Sequence, residues 1–236
     1  MINKIFQTLN KRQWLIDSPR ATLGIFIILN IMAMAFYKGG TYHNASSPGY
    51  SFFNNFLSDL GRVVSHSGQI NFHASLCFNM AMLLAGFTLS MFFLSTPYLF
   101  KLEEKRTYFI SIIASFFGIL GSLSMIGVGF TPSDIFFQPH VLFAHWLFRF
   151  LFLAALLTSI CIYKSKKFNN KYAFGYIVFS ITIFSYVLFN ELGPSPHINP
   201  WALYLQAISQ KAILLCFFIS VVIQTNGISL LFSNEK

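Results

Sequence analysis

The sequence predicts an all-α fold: a polytopic integral membrane helix bundle of six transmembrane helices with both termini cytoplasmic. Three observations carry that expectation. Of 236 residues, 55% are hydrophobic and only 10% are charged, against about 25% charged in soluble domains, so the chain cannot cover a water-facing surface. Six apolar segments, over 19–37, 69–96, 107–130, 139–163, 172–190 and 200–224, reach the roughly 20 residues a helix needs to cross the hydrocarbon core. The third observation is the placement of the basic residues. Lys4, Lys11, Arg12, Arg20, Lys101, Lys105, Arg106, Lys164, Lys166, Lys167, Lys171 and Lys236 fall on one side, and only Lys38 and Arg62 on the other. The positive-inside rule makes the first side cytoplasmic.

Taken in order, residues 1–18 carry Ile2, Ile5, Phe6 and Leu9 on one helical face, with Lys4, Lys11 and Arg12 elsewhere. That pattern predicts an interfacial segment on the inner leaflet and an uncleaved anchor. Gly39-Gly40 ends the first span, and Pro97, Pro132, Gly193-Pro194 and their neighbours punctuate the others. Pro139 and Pro200 suit the first turn of a helix, where the missing N–H is no loss. The third span carries Ser111, Ala114, Ser115, Gly118, Gly121, Ser122, Gly127 and Gly129; small residues at these spacings let backbones approach. With no repeat or linker, one domain over 1–236 is expected.

The net charge of +9 does not indicate nucleic acid, because no basic stripe lies on a foldable soluble module. Membrane lipids are the expected partners. Cys77, Cys161 and Cys216 sit inside apolar runs with no C-x-x-C pair, so they read as reduced core residues.

All six histidines fall on the expected outer half, with Asp59, Asp134 and Glu191. Arg149 and Lys211 lie within spans, ten and eleven residues from their outer ends, or roughly 15 Å deep at 1.5 Å per residue. A charge at that depth costs about 2.5–3.5 kcal/mol or more, so both are expected to face the bundle interior. His145 shares a helical face with Arg149. Asn30, Asn79, Gln206 and Gln210 are further polar groups at depth. Two readings follow. In one, the cations pair with Glu191, Asp134 or backbone carbonyls and lock helices together. In the other, they floor an outward-facing polar cavity for a lipid or other anionic amphiphile, with Asp59, His145, Arg149 and Lys211 as ligand-binding candidates.

The stretch YSFFNNFLSDLGR at residues 50–62 places Phe52, Phe53, Phe56, Leu57 and Leu60 at helical spacing. It predicts a short helix in the outer interface, or a re-entrant segment, ended by Gly61. Here the chain also resembles a known family. Lys38-Gly39-Gly40, Ser58-Asp59-Leu60-Gly61, and Gly127-Val128-Gly129-Phe130 through His140 and His145 are similar to the prokaryotic six-span family catalogued as domain of unknown function 998, over about residues 20–225. More distantly, the chain is similar to the FRAG/DRAM/Sfk group. The resemblance implies a multi-pass protein of a prokaryotic plasma or inner membrane with a lipid-related role. It marks Ser58, Asp59, His140 and His145 as candidate family residues.

Two alternatives stand beside lipid binding. A membrane-embedded metal-dependent lipid hydrolase would use Ser58 and Asp59 as catalytic candidates and zinc on His73, His140 and His145. His140 and His145, five apart, are turned about 140° around a helix and suit one metal poorly. A small transporter is the third reading, though no inverted repeat or broken span is present.

Overall fold

In hydrocarbon the backbone N–H and C=O groups must satisfy one another, so long apolar runs become helices. In the computed structural model, which describes residues 10–234, this happens six times: α1 Ser18–Phe36, α2 Phe72–Ser95, α3 Lys105–Phe130, α4 Phe137–Lys164, α5 Ala173–Leu192 and α6 Pro200–Asn234. With the short turns that adjoin them, all six are long and apolar enough to cross a membrane, as in a multi-pass membrane protein. The described residues contain no strand, only two isolated bridges in the first connection.

Local chemistry sets the ends. Pro200 opens α6, and the Asn199 side chain caps it, accepting from the backbone N–H of Trp201 (2.9 Å) and Ala202 (3.3 Å). α6 runs well past residue 224, where the sequence expectation stopped. Its last turns are not free: Gln224 donates to the Tyr172 carbonyl, and Thr225 and Ile228 are buried. At the other terminus, residues 11–17 run directly into α1 through a wide π-type turn at Gln13–Asp17, rather than lying apart as an interfacial helix. Leu15 and Ile16 are wholly buried there, and Trp14 packs edge-on against Phe87. The expected apolar face of Ile2, Ile5, Phe6 and Leu9 lies outside the described residues.

The helices pack in chain order, each against its neighbours, and surround a cavity to which all six contribute. Small residues set the spacing around α3. A Cβ at Gly118 would meet the Phe93 ring, one at Gly121 would sit 2.9 Å from Leu151, and one at Gly127 would sit 2.5 Å from Phe143. The ring closes where α6 returns to α1. That seam is much the thinnest of the contacts between adjacent helices.

Because the spans alternate in direction, connections 37–71, 131–136 and 193–199 share one end, the loop end, and the chain termini share the other. The connection over 37–71 folds onto itself. Gly39 and Gly40 both have positive φ, 99° and 83°, and bring the chain back to bond Ser47 and Ser67. Within it, the expected helix over Phe52 to Leu60 does not form; only one 3-10 turn, Leu57–Gly61, is helical. The cause is competition from polar side chains for the backbone. Asn55 accepts from the Ser51 N–H (2.9 Å), and Asp59 accepts from the Phe56 N–H (2.9 Å), which holds Phe56 extended.

Candidate functional site

Residues 50–62 dip into the ring at the loop end. Gln210 is ten residues into α6, about 15 Å below its start, and its Oε1 accepts from the Leu57 N–H at 3.1 Å. Lys211, the next residue, donates to the Asn55 carbonyl and sits 5.5 Å and 5.4 Å from the Tyr50 and Phe52 ring centres. The segment is therefore a re-entrant plug. Asn55 and Leu60 are fully buried in it, while Phe52 and Phe53 are exposed.

Asp59 is the hub of the plug. Its carboxylate accepts from the Phe56 N–H, from Asn55 Nδ2 (3.1 Å) and from His66 Nε2 (3.1 Å), and it is buried. Each carboxylate oxygen is thus committed to a donor. Tyr37 and Tyr50 brace the same region. Tyr50 Oη donates to the carbonyls of Asn55 (3.4 Å) and Phe56 (3.3 Å), and Tyr37 Oη donates to the Gly40 carbonyl (3.4 Å). Burial, then the Asp59 charge, pushes both phenols well above their ordinary value, which keeps them protonated donors. From the next loop, Asp134 clamps the plug by accepting from the N–H groups of Val63 (3.1 Å) and Val64 (2.8 Å).

Beneath and beside the plug lie two adjoining spaces. A vestibule of about 250 Å³ at the loop end is lined by the charged and polar side chains Asp59, Arg62, His66, His140, His145 and Gln206, among aromatic and aliphatic neighbours. A second cavity, of about 130 Å³, is an almost wholly apolar slot running between the helices. From Gln210 to Val221 on α6 it extends about 16 Å, roughly one leaflet of the hydrocarbon core. Ser58, His140, Ala144, Phe148 and Gln210 line both spaces and form the neck between them.

His140 is fixed at this neck. It is buried, and its Nδ1–H donates to the Thr131 carbonyl at 2.6 Å. In the neutral ring that bond places the proton on Nδ1 and leaves Nε2 as an acceptor. Gln210 is fixed as well, since its Nε2 donates to Tyr186 Oη at 3.1 Å.

The structure separates the residues that sequence depth grouped together. Ser58, Asp59, His140 and His145 line the vestibule; Arg149 and Lys211 line neither space. Arg149 points between α4 and α5, where it pairs with Glu191 and donates to the His145 carbonyl (3.0 Å). Lys211 is consumed by the plug. A cavity floored by two free cations is therefore not what the chain builds: one cation meets a carboxylate on the adjacent helix, and the other meets a loop that descends to it. His73 packs at a tilt beside Phe36 and edge-on against Phe72. Among the described residues, no three His, Cys, Asp or Glu side chains gather where they could hold a metal, so the zinc set His73, His140 and His145 does not fit. Asn30 and Asn79 serve the helices: Asn30 donates to the Phe26 carbonyl and Asn79 to Ser75.

Sequence reasoning missed His66 and Arg62 as vestibule residues. Their signal was local: each follows Asp59 within seven residues on a chain that Gly39 and Gly40 turn back. No known protein family, curated protein or solved structure matches this chain.

Proposed function

We propose that this protein binds a membrane lipid or similar anionic amphiphile, with its head group in the vestibule and one chain in the slot. The observation that carries this reading is the neck: a space that charged and polar side chains help to line and an apolar space of leaflet depth share five lining residues. Such a shape matches an amphiphile, because each methylene moved from water into the slot gains about 0.8 kcal/mol, while the head keeps polar neighbours. Arg62 and the imidazole of His145 supply the donors for an anionic head. In this reading the loop end faces outward and the termini face the cytoplasm, in keeping with the basic inner loops. The resemblance to the uncharacterised prokaryotic six-span family and to the FRAG/DRAM/Sfk group supports a lipid-related role by analogy.

The test is mass spectrometry of lipids that survive purification. Ala85 lines the slot and is buried, so Ala85→Phe should fill it and lower the retained lipid about tenfold. Arg62→Ala should shift the retained species toward neutral lipids. Wild-type protein that retains no lipid above an unrelated membrane protein would overturn the reading.

One observation favours a second reading, ester hydrolysis without metal: Ser58 and the Nε2 acceptor of His140 occupy the same neck. The Ser58 hydroxyl would attack a lipid ester carbonyl and pass its proton to His140. The departing alcohol would take that proton, and water would then cleave the acyl-serine ester. A fluorophosphonate probe should label wild-type protein and not Ser58→Ala; no labelling of either removes this reading.

A further inference from the structure

We propose that the seam between α1 and α6 is a lateral portal through which a lipid chain enters the slot from the bilayer, and that residues 50–57 are its gate. The proposal rests on the reading that the slot holds a lipid chain.

Access favours the seam. A chain reaching the slot through the vestibule would have to leave the bilayer and pass through water, with every methylene exposed on the way. Entry through a gap between helices avoids that exposure. The slot is lined at the seam by Leu23 and Phe26 of α1 and by Leu214, Phe217 and Phe218 of α6.

The other junctions are more closely packed. Thr22 and Thr88 hydrogen-bond at 2.9 Å between α1 and α2. A Cβ added to Gly86 or Gly118 would collide across α2 and α3, and one at Gly121 or Gly127 across α3 and α4. Phe152 stacks on Phe184 across α4 and α5, with centroids 5.5 Å apart. Gly227 lies against Tyr172 at the start of α5. Between α1 and α6, by contrast, the helices touch least of any adjacent pair. Gly24 of α1 has no neighbouring atom within 4 Å of where a Cβ would stand.

The seam itself is held differently at its two ends. At the terminal end, Arg20 pins it, donating to Thr225 Oγ1 (3.0 Å) and Asn226 Oδ1 (2.6 Å). At mid-depth there is one edge contact, Phe26 on Phe218, with centroids 5.9 Å apart. At the loop end the plug bridges the two helices. Its Tyr50 packs on Tyr37 just past α1, and its Phe53 packs on Tyr204 of α6. Lys211 and Gln210 anchor it through the Asn55 carbonyl and the Leu57 N–H. Among the described residues, Lys211 has no carboxylate at ion-pair distance. Its ammonium is committed to the gate, and its release frees the loop end of the seam while Arg20 remains the hinge.

The test closes the seam reversibly. Cys77, Cys161 and Cys216 are first replaced by Ala. Phe26→Cys and Phe218→Cys are then joined with a reducible bismaleimide linker in proteoliposomes. The probe is a diazirine-tailed phosphatidylglycerol added to the bilayer, and the readout is the time course of photolabelling of slot residues by mass spectrometry. Closing the seam should slow labelling about tenfold, and cleaving the linker should restore it. A control linker between Phe152→Cys and Phe184→Cys, across α4 and α5, should leave the rate unchanged. In protein that elutes as wild type on size exclusion, Lys211→Met should speed labelling severalfold. Equal rates with the seam open and closed, or equal slowing by the control linker, overturn the portal. Labelling no faster in Lys211→Met overturns the gate. Slot residues never labelled in the unlinked protein overturn the lipid reading, and the portal with it.

Discussion

Asp59 shows how a charge can be buried without a lysine or arginine at ion-pair distance among the described residues. Three donors, two of them from within four residues, replace its water. Because hydrogen bonds to a charged group contribute about 1.5–3 kcal/mol each, Asp59→Ala should destabilise the folded protein by about 2–3 kcal/mol and lower the Tm measured by tryptophan fluorescence. Gly40 is a sharper case. Its φ is 83°, and a Cβ there would strike the backbone of His66 and Ser67, so Gly40→Ala should cost about 1–3 kcal/mol. Gly24→Ala, in an open helical position, should leave Tm unchanged or slightly raised. Tyr37 and Tyr50 add a pH dependence. Their folded pKa values lie above the unfolded value of 10.0, so their contribution is complete below about pH 10 and is lost as pH climbs toward their own higher values. A pH series of Tm should therefore fall on the alkaline side, and the fall should be smaller in Tyr50→Phe.

Among the elements, the spans were legible because hydrocarbon leaves a long apolar run no alternative to a helix. The small residues of the third span were legible for the same reason: their spacing has a single use. Gly118→Ala pushes against the Phe93 ring and should destabilise by about 1–3 kcal/mol through overpacking, measured as a loss of Tm in detergent. The plug was not legible. Its phenylalanines repeat at helical spacing, but Asn55 and Asp59 satisfy the backbone in extended form, and that outcome depends on bonds to Gly40, His66 and Gln210 that no local pattern displays. The pairing of Arg149 with Glu191 was named as one option, yet counting depth from the span ends gave it no priority. A long guanidinium reaches well beyond its own Cα, so two residues at different nominal depths still meet.

On the scale of the whole molecule, histidines spread over two connections and one helix line one space because the spans alternate: His66, His140, His145 and His197 all border the vestibule. That convergence follows from topology and chain order, and the tilt and rotation that select which imidazoles face inward do not appear in a sequence. The expected orientation is open to measurement. In intact cells, in a background free of the native cysteines, Ser133→Cys at the loop end should react with a membrane-impermeant maleimide, whereas Lys166→Cys, at an exposed position of the terminal end, should react only after permeabilisation. The opposite pattern would invert the topology.

The anchoring of the plug has a consequence for biogenesis. Asn55 and Lys211 are 156 residues apart in the chain, so the first long connection cannot be seated until the last helix has left the ribosome and entered the bilayer. Until then its phenylalanines and the Asn55 carbonyl await partners that have not been made. The nascent protein is thus finished in reverse, with its earliest loop fixed last. A protease site placed beside Phe53 should be cut readily in ribosome-stalled chains ending before residue 200 and resist cutting once α6 is released.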